Sequence, residues 1–205
     1  MKSPRLLRAL IVGLALSWVG AAFPFQADTL HRLADSVETA QSVVVPASGS
    51  VEVGFSPKGG AEALVLRVID SAQSDIKVLA YSFTSSRVTA ALLGAARRGV
   101  SVSLVADFKS NVADDRSGKG LAALSALAEA GCDVRVISAY PIHHDKVLIV
   151  DRKTVEVGSF NFSTAAARLN SENVLVHWNN PALAKVYLEH FDRNYRLSER
   201  FRVQY

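Results

Sequence analysis

His144, Lys146, Ser159 and Asn161 are the residues whose types and spacing could do chemistry. His144 and Lys146 lie two apart at the start of an apolar run, Val147 to Val150, and so share one face of a strand. Asp151-Arg152-Lys153-Thr154 reads as a polar turn, and Val155-Glu156-Val157 returns the chain to Gly158. With Arg152-Lys153 as the loop, Lys146 falls opposite Ser159 and His144 opposite Asn161. A loop one residue longer or shorter would break that register, and Arg-Lys is not a favoured two-residue turn. The hairpin would gather an imidazole, an ammonium, a hydroxyl and a carboxamide. Histidine attacks or protonates near neutral pH. The other three supply charge and donors for the oxygens of a phosphorane-like transition state. This set suits phosphodiester cleavage in which the protein provides the positive charge and no metal is needed.

The order His-x-Lys, four residues, Asp, six residues, Gly-Ser-x-Asn resembles the signature of the phospholipase D superfamily. Its continuation, Gly158-Ser159-Phe160-Asn161-Phe162-Ser163 and Asn170-Ser171-Glu172-Asn173, is similar to the single-motif bacterial endonucleases of the Nuc type. The likeness runs upstream through Ala80-Tyr81-Ser82-Phe83-Thr84 and Val53-Gly54-Phe55-Ser56-Pro57, covering nearly all of the chain from Val51. It implies an α/β fold, a layered mixed β-sheet flanked by helices with one motif per chain. His144 would form a covalent phosphohistidine. Lys146, Ser159 and Asn161 would bind the substrate phosphate. Glu172 would receive the imidazole N–H, a role that the residues alone leave unassigned. Asp151 and Gly158 belong to the motif as structural residues. On its own chemistry Asp151 reads as a turn former bonded to nearby backbone.

One histidine cannot sit on both sides of an in-line displacement. Larger members of the superfamily carry the motif twice. A single copy implies a homodimer with one shared active site on its two-fold axis.

The elements that must position these groups alternate between strand and helix. Strands are expected at Val51–Phe55, Ile76–Ser82, Val100–Ala106, Val134–Ile137 and Val174–His177. Helices are expected at Ala61–Ala72, Val88–Arg98, Leu121–Ala130, Ser163–Ala167 and Pro181–Leu197, with Gly99 and Pro181 as boundary signals. Val147–Val150 is apolar on both faces and belongs in the middle of the sheet. Asp107 to Gly120 reads as a long polar loop, either solvated or a groove wall facing substrate. There is no internal repeat. The domains are a signal peptide over residues 1–22, an N-terminal arm or linker over 28–50, and a phospholipase D-like domain over 51–205.

The signal reading rests on Lys2, Arg5 and Arg8 before the apolar run Ala9–Ala22. Gly20 favours cleavage after Ala22, with Ala27 the later option and an uncleaved anchor the competing reading. The protein is then exported, to the periplasm or beyond, with no stable membrane association after cleavage. Loss of those three cations takes the net charge from +4 to about +1, so any basic surface is local. Cys132 cannot pair within the chain and reads as a buried thiol. Adjacent His143 and His144 face opposite ways in a strand, which argues against a shared metal. No cofactor is expected. His31, His177 and His190 have no evident partners, and Phe83, Phe160 and Phe162 read as core or site walls.

The resulting expectation is an exported, metal-independent, non-specific endonuclease acting on DNA or RNA. The alternatives are a phospholipase D or phosphatidyl-transferring enzyme, and a nucleic-acid-binding module that has lost catalysis.

Overall fold

The computed structural model describes residues 42–203. The signal reading, His31 and most of the arm lie outside them. Residues 42–49 lack regular structure, and the strands begin at β1, Ser50–Ser56. The order continues α1 (Gly60–Asp70), β2 (Asp75–Ala80), α2 (Ser86–Arg97), β3 (Ser101–Asp107) and a π-helical turn at Lys109–Ala113. Then come α3 (Lys119–Glu129), β4 (Asp133–Ile137), β5 (Lys146–Val150), β6 (Thr154–Gly158) and α4 (Thr164–Arg168). The chain closes with β7 (Glu172–Trp178), α5 (Pro181–Leu197) and the two-residue β8 (Glu199–Arg200). Among the described residues no helix is long and apolar enough to cross a membrane.

The eight strands form one mixed sheet in the order β1-β7-β6-β5-β2-β3-β4-β8. The pairs β2–β3 and β3–β4 are parallel, as their right-sized helical crossovers require, and the remaining pairs are antiparallel. Alternating side chains feed two cores. Leu148, Val150, Val78, Leu104 and Val176 face the layer of α1 to α4, while Val147, Ile149, Leu79, Val105 and Val155 face α5. β5 is buried along its whole length, as its two-sided apolar pattern predicts. Each such side chain contributes roughly 1.5–3 kcal/mol of apolar burial.

The hairpin register differs from expectation by one residue. Val147 lies opposite Val157 and Val150 opposite Thr154, leaving a three-residue turn, Asp151–Lys153. Asp151 and Arg152 adopt φ of 50° and 56°, a left-handed pair that lengthens the turn. Asp151 is held there by groups far away in sequence, not by nearby backbone. Its Oδ1 accepts from the amide of Ser74 at 2.8 Å, the Ser74 hydroxyl at 2.8 Å and the amide of Asp75 at 3.1 Å. Its Oδ2 accepts from the amide of Gln73 at 3.0 Å. The hairpin tip is thus bolted to the entry of β2.

The expected loop at 107–120 is also partly built. Asn111 of the π-helical turn is fully buried and bonds the Phe83 amide and the Tyr81 and Asp107 carbonyls. Asp115 accepts from the amides of Gly120 and Leu121 and so caps α3. Cys132 is buried, and burial pushes its thiol pKa up.

Glu156 lies opposite Leu148 and Val176, inside the α1–α4 layer. It is fully buried, and neither carboxyl oxygen has a hydrogen-bond partner. Burial pushes its pKa up to about 8, so the acid is neutral at neutral pH.

Two stability predictions follow from these carboxyls. Desolvation works against the charged form of Asp151, but the donors at Gln73, Ser74 and Asp75 outweigh it and hold the pKa below its ordinary value. Its stabilisation is present above the unfolded pKa and lost as pH falls through the folded one. Asp151→Asn should cost about 1–2 kcal/mol at neutral pH by urea denaturation, and the gap to wild type should close in acid. Glu156 has the opposite sign. Its contribution is complete below 4.5 and is lost as pH rises through about 8. Wild type should lose up to ~1.4 kcal/mol per pH unit from this group across that window, and Glu156→Gln should remove the slope.

Candidate active site

The site groups come from one end of the sheet. Ser56 ends β1, Ala80 ends β2, Asp107 ends β3, Lys146 starts β5, Gly158 ends β6 and Glu172 starts β7. Antiparallel and parallel pairings together turn those ends the same way.

Lys146 pairs with Ala80, and the hydrogen bond from the Tyr81 amide to the Asp145 carbonyl, 2.8 Å, extends the ladder one step. His144 itself lies just outside β5 and is exposed. Its ring packs on Tyr81, centroids 4.6 Å apart. The neighbouring Lys146 is only 7% exposed, which is rare for an ammonium and needs compensation. Its Nζ donates to the His144 carbonyl at 2.8 Å and lies 5.1 Å from the Tyr81 ring centroid, a cation–π contact. Burial lowers the Lys146 pKa, and the carboxylates of Asp145 and Glu172 act against that effect.

Gly158 is required by packing. A Cβ there would lie 2.1 Å from the Asn173 carbonyl oxygen, so β6 and β7 approach as only glycine permits. Beyond it Phe160 and Phe162 alternate with Ser159 and Asn161. The two phenylalanines are buried anchors, which agrees with the core reading. The Phe162 carbonyl accepts from Thr84 and Ser85, and Phe162 meets Phe83 edge-on at 6.1 Å. The segment carrying Ser159 and Asn161 is therefore pinned to the loop after β2. The one-residue register shift puts Gly158, not Ser159, across from Lys146. Because the chain leaves the β6 ladder at Gly158, Ser159 and Asn161 are placed by these anchors instead of by strand pairing.

Ser159 donates from Oγ to Glu172 Oε2 at 2.6 Å and accepts from the Asn173 amide at 3.1 Å. Asn170 Nδ2 donates to the other Glu172 oxygen at 2.9 Å. Among the described residues Glu172 makes no hydrogen bond to the His144 ring; it reaches the site through Ser159 and through its field on Lys146. Asn161 Oδ1 is buried with no hydrogen-bond partner, so this amide retains unused polar capacity. Asp151 is at the opposite end of the five-residue β5, roughly 16 Å from Lys146, where it serves the turn.

Three residues escaped the sequence reading. Tyr81 supports both His144 and Lys146, yet nothing in its local pattern marks it. Asp145 and His190 form a 2.8 Å pair across the β5–α5 layer. His190 appeared partnerless because its partner is 45 residues away. His143 and His144 do diverge as strand alternation requires: His143 is buried at 3% exposure, and His144 is exposed.

Residues 65–195 match the family model described as cardiolipin synthase, PLD-like domain. The fold aligns with the crystal structure of a phospholipase D family member, Nuc from Salmonella typhimurium, at TM-score 0.72 and 46% identity. That alignment covers 75% of this chain and 98% of Nuc. NucT from Helicobacter pylori shares the fold at TM-score 0.66 and 23% identity, over 74% of this chain and 99% of NucT. A Rickettsia prowazekii (strain Madrid E) protein named phospholipase D is 31% identical over 185 residues, 88% of this chain and 87% of its own length.

Proposed function

The chain belongs to the phospholipase D superfamily of phosphodiesterases, and from that premise we propose that it is an exported, metal-independent endonuclease cleaving DNA or RNA at a site shared by two subunits. The observation that carries the reading is the pairing of an exposed His144 with the buried ammonium of Lys146 at one sheet end. The similarity to Nuc points the same way.

In the proposed reaction an imidazole nitrogen of His144 attacks phosphorus. The P–O bond to the leaving group breaks, and His144 of the partner subunit gives that oxygen its proton. The same partner histidine then takes a proton from water, whose oxygen displaces the His144 nitrogen and restores the enzyme. Lys146 stabilises the equatorial oxygens, with Asn161 and Ser159 as polar contacts. Glu172 orients Ser159 at 2.6 Å and helps keep Lys146 charged. Only phosphate contacts are needed for this chemistry, so little sequence preference is expected.

We place the second copy at the exposed edge of the sheet. Helix α5 covers β6, β5, β2 and β4. Beyond it, Val51, Val53 and Phe55 of the edge strand β1 stay 55%, 48% and 64% exposed on one face. Their strand partners there are His177, Leu175 and Asn173, the last adjoining Glu172 and Ser159. Val51 and Val53 lie on the face that α5 packs on, opposite the one from which Lys146 emerges, while Phe55 carries the patch to the reacting end of the sheet, where the proposed two-fold contact would set the sites near each other.

The Rickettsia relative's name favours a second reading, hydrolysis of a phospholipid head group by the same residues.

Wild-type protein should nick supercoiled plasmid in EDTA, and His144→Asn should lose at least ~10³-fold while melting normally. Plasmid left intact while phosphatidylcholine vesicles are hydrolysed would select the lipid reading. Phe55→Asp should shift the protein to a monomer by analytical ultracentrifugation and abolish nicking with it. A fully active Phe55→Asp monomer would refute the shared site.

A further inference from the structure

We propose that Asp145 and His190 are positioning residues, which hold the segment bearing His144 and Lys146 from the opposite face of the sheet. This rests on the assignment of His144 and Lys146 as the reacting pair. The ring of His144 packs on Tyr81 and makes no side-chain hydrogen bond among the described residues, so its aim comes from that contact and from the backbone around it. That backbone is fixed on both sides. The His143 amide donates to Asp107 Oδ2 at 2.9 Å, and the Asp145 carbonyl accepts from Tyr81 at 2.8 Å.

The side chains of His143 and Asp145 point away from the site, toward α5. Asp145 Oδ2 lies 2.8 Å from His190 Nε2 and 3.6 Å from His143 Nδ1. Arg193, one turn along α5, meets His190 Nδ1. A guanidinium only donates, so Nδ1 accepts and the ring proton sits on Nε2, donating to Asp145. Asn194 donates to the His190 carbonyl at 2.9 Å and secures that turn. The chain Arg193, His190, Asp145 thus ends one residue from each member of the reacting pair.

The arrangement also has an electrostatic consequence. Asp145 faces His190, His143, Lys146 and Tyr187. Its carboxylate favours the charged form of the buried Lys146. An Asp145 released from His190 would lose its fixed distance from that ammonium, and the segment would lose its anchor to α5. Supporting groups of this kind, one shell behind the chemistry, change rates on the order of 10- to 100-fold in metal sites, and a similar range is expected here.

The test uses the full chain and bis(p-nitrophenyl) phosphate, with His190→Ala and His190→Gln compared. The glutamine amide nitrogen takes the place of Nε2 and still donates to Asp145. His190→Ala should lower kcat ~10- to 100-fold with KM within about 3-fold, and His190→Gln should restore kcat to within about 3-fold of wild type. Amide hydrogen exchange at Tyr81 gives a readout independent of turnover. It should quicken about 10-fold in His190→Ala and not in His190→Gln, because that amide bonds the Asp145 carbonyl. Unchanged kcat and unchanged Tyr81 exchange in His190→Ala would overturn the proposal. Equal losses in both variants, tracking their melting temperatures, would reduce the pair to a structural one and overturn it too. Wild-type protein inert toward every phosphodiester would instead remove the underlying assignment, and the exchange data would then decide the positioning claim alone.

Discussion

The fixed registration of β5 between β2 and β6 is the constraint on which the rest depends. Asp151 sets it at one end by accepting from Gln73, Ser74 and Asp75. Side chains alternate along a strand, so a slip of one residue would send Lys146 to the α5 face and Val147 into the polar end. The four apolar residues between them resist the same slip, since all are buried in one of two separate cores. A carboxylate at the far end of the strand therefore helps decide where the ammonium emerges.

From that registration the reacting end is assembled in three independent ways. Lys146 is set by the ladder with Ala80. Ser159 and Asn161 are set by the buried rings of Phe160 and Phe162, which tie them to the loop after β2. His144 is set by the bonds of its neighbours, through Asp107, Tyr81 and His190. Polar groups accordingly face outward from a frame whose own polar needs are mostly met. Asp75, His143, Glu156 and Asn161 are the exceptions among the described residues, each with at least one buried polar atom that has no hydrogen-bond partner.

Much of this was legible beforehand. Sequence patterns located every described α-helix and all described strands but β8, which is two residues long and too brief to carry a period, and they missed the π-helical turn at Lys109–Ala113. The two-sided apolar run placed β5 in the sheet centre. The candidate site residues were chosen through their spacing. Their geometry was less legible, because turn length depends on backbone angles: Asp151 and Arg152 both take positive φ, which aspartate tolerates but arginine does not announce. The Asp145–His190 bond was hidden for a different reason. Each residue is ordinary in its own element, and only the packing of α5 across the sheet brings them within 2.8 Å. Tyr81 was likewise visible only as part of a familiar run of residues. Its contact with His144 requires β2 and β5 to be neighbours.

The distribution of labour between the two ends of the sheet has an evolutionary consequence. Loops at the reacting end can diversify to admit other diesters, since the strands beneath them are registered elsewhere. At the far end Gly99 and Gly131 close the turns into β3 and β4 through backbone hydrogen bonds. The Asp151 turn is the exception there. Lengthening it would move the ammonium and the anchors of the opposite end together, so an insertion distant from all chemistry would act on the lineage as a catalytic lesion.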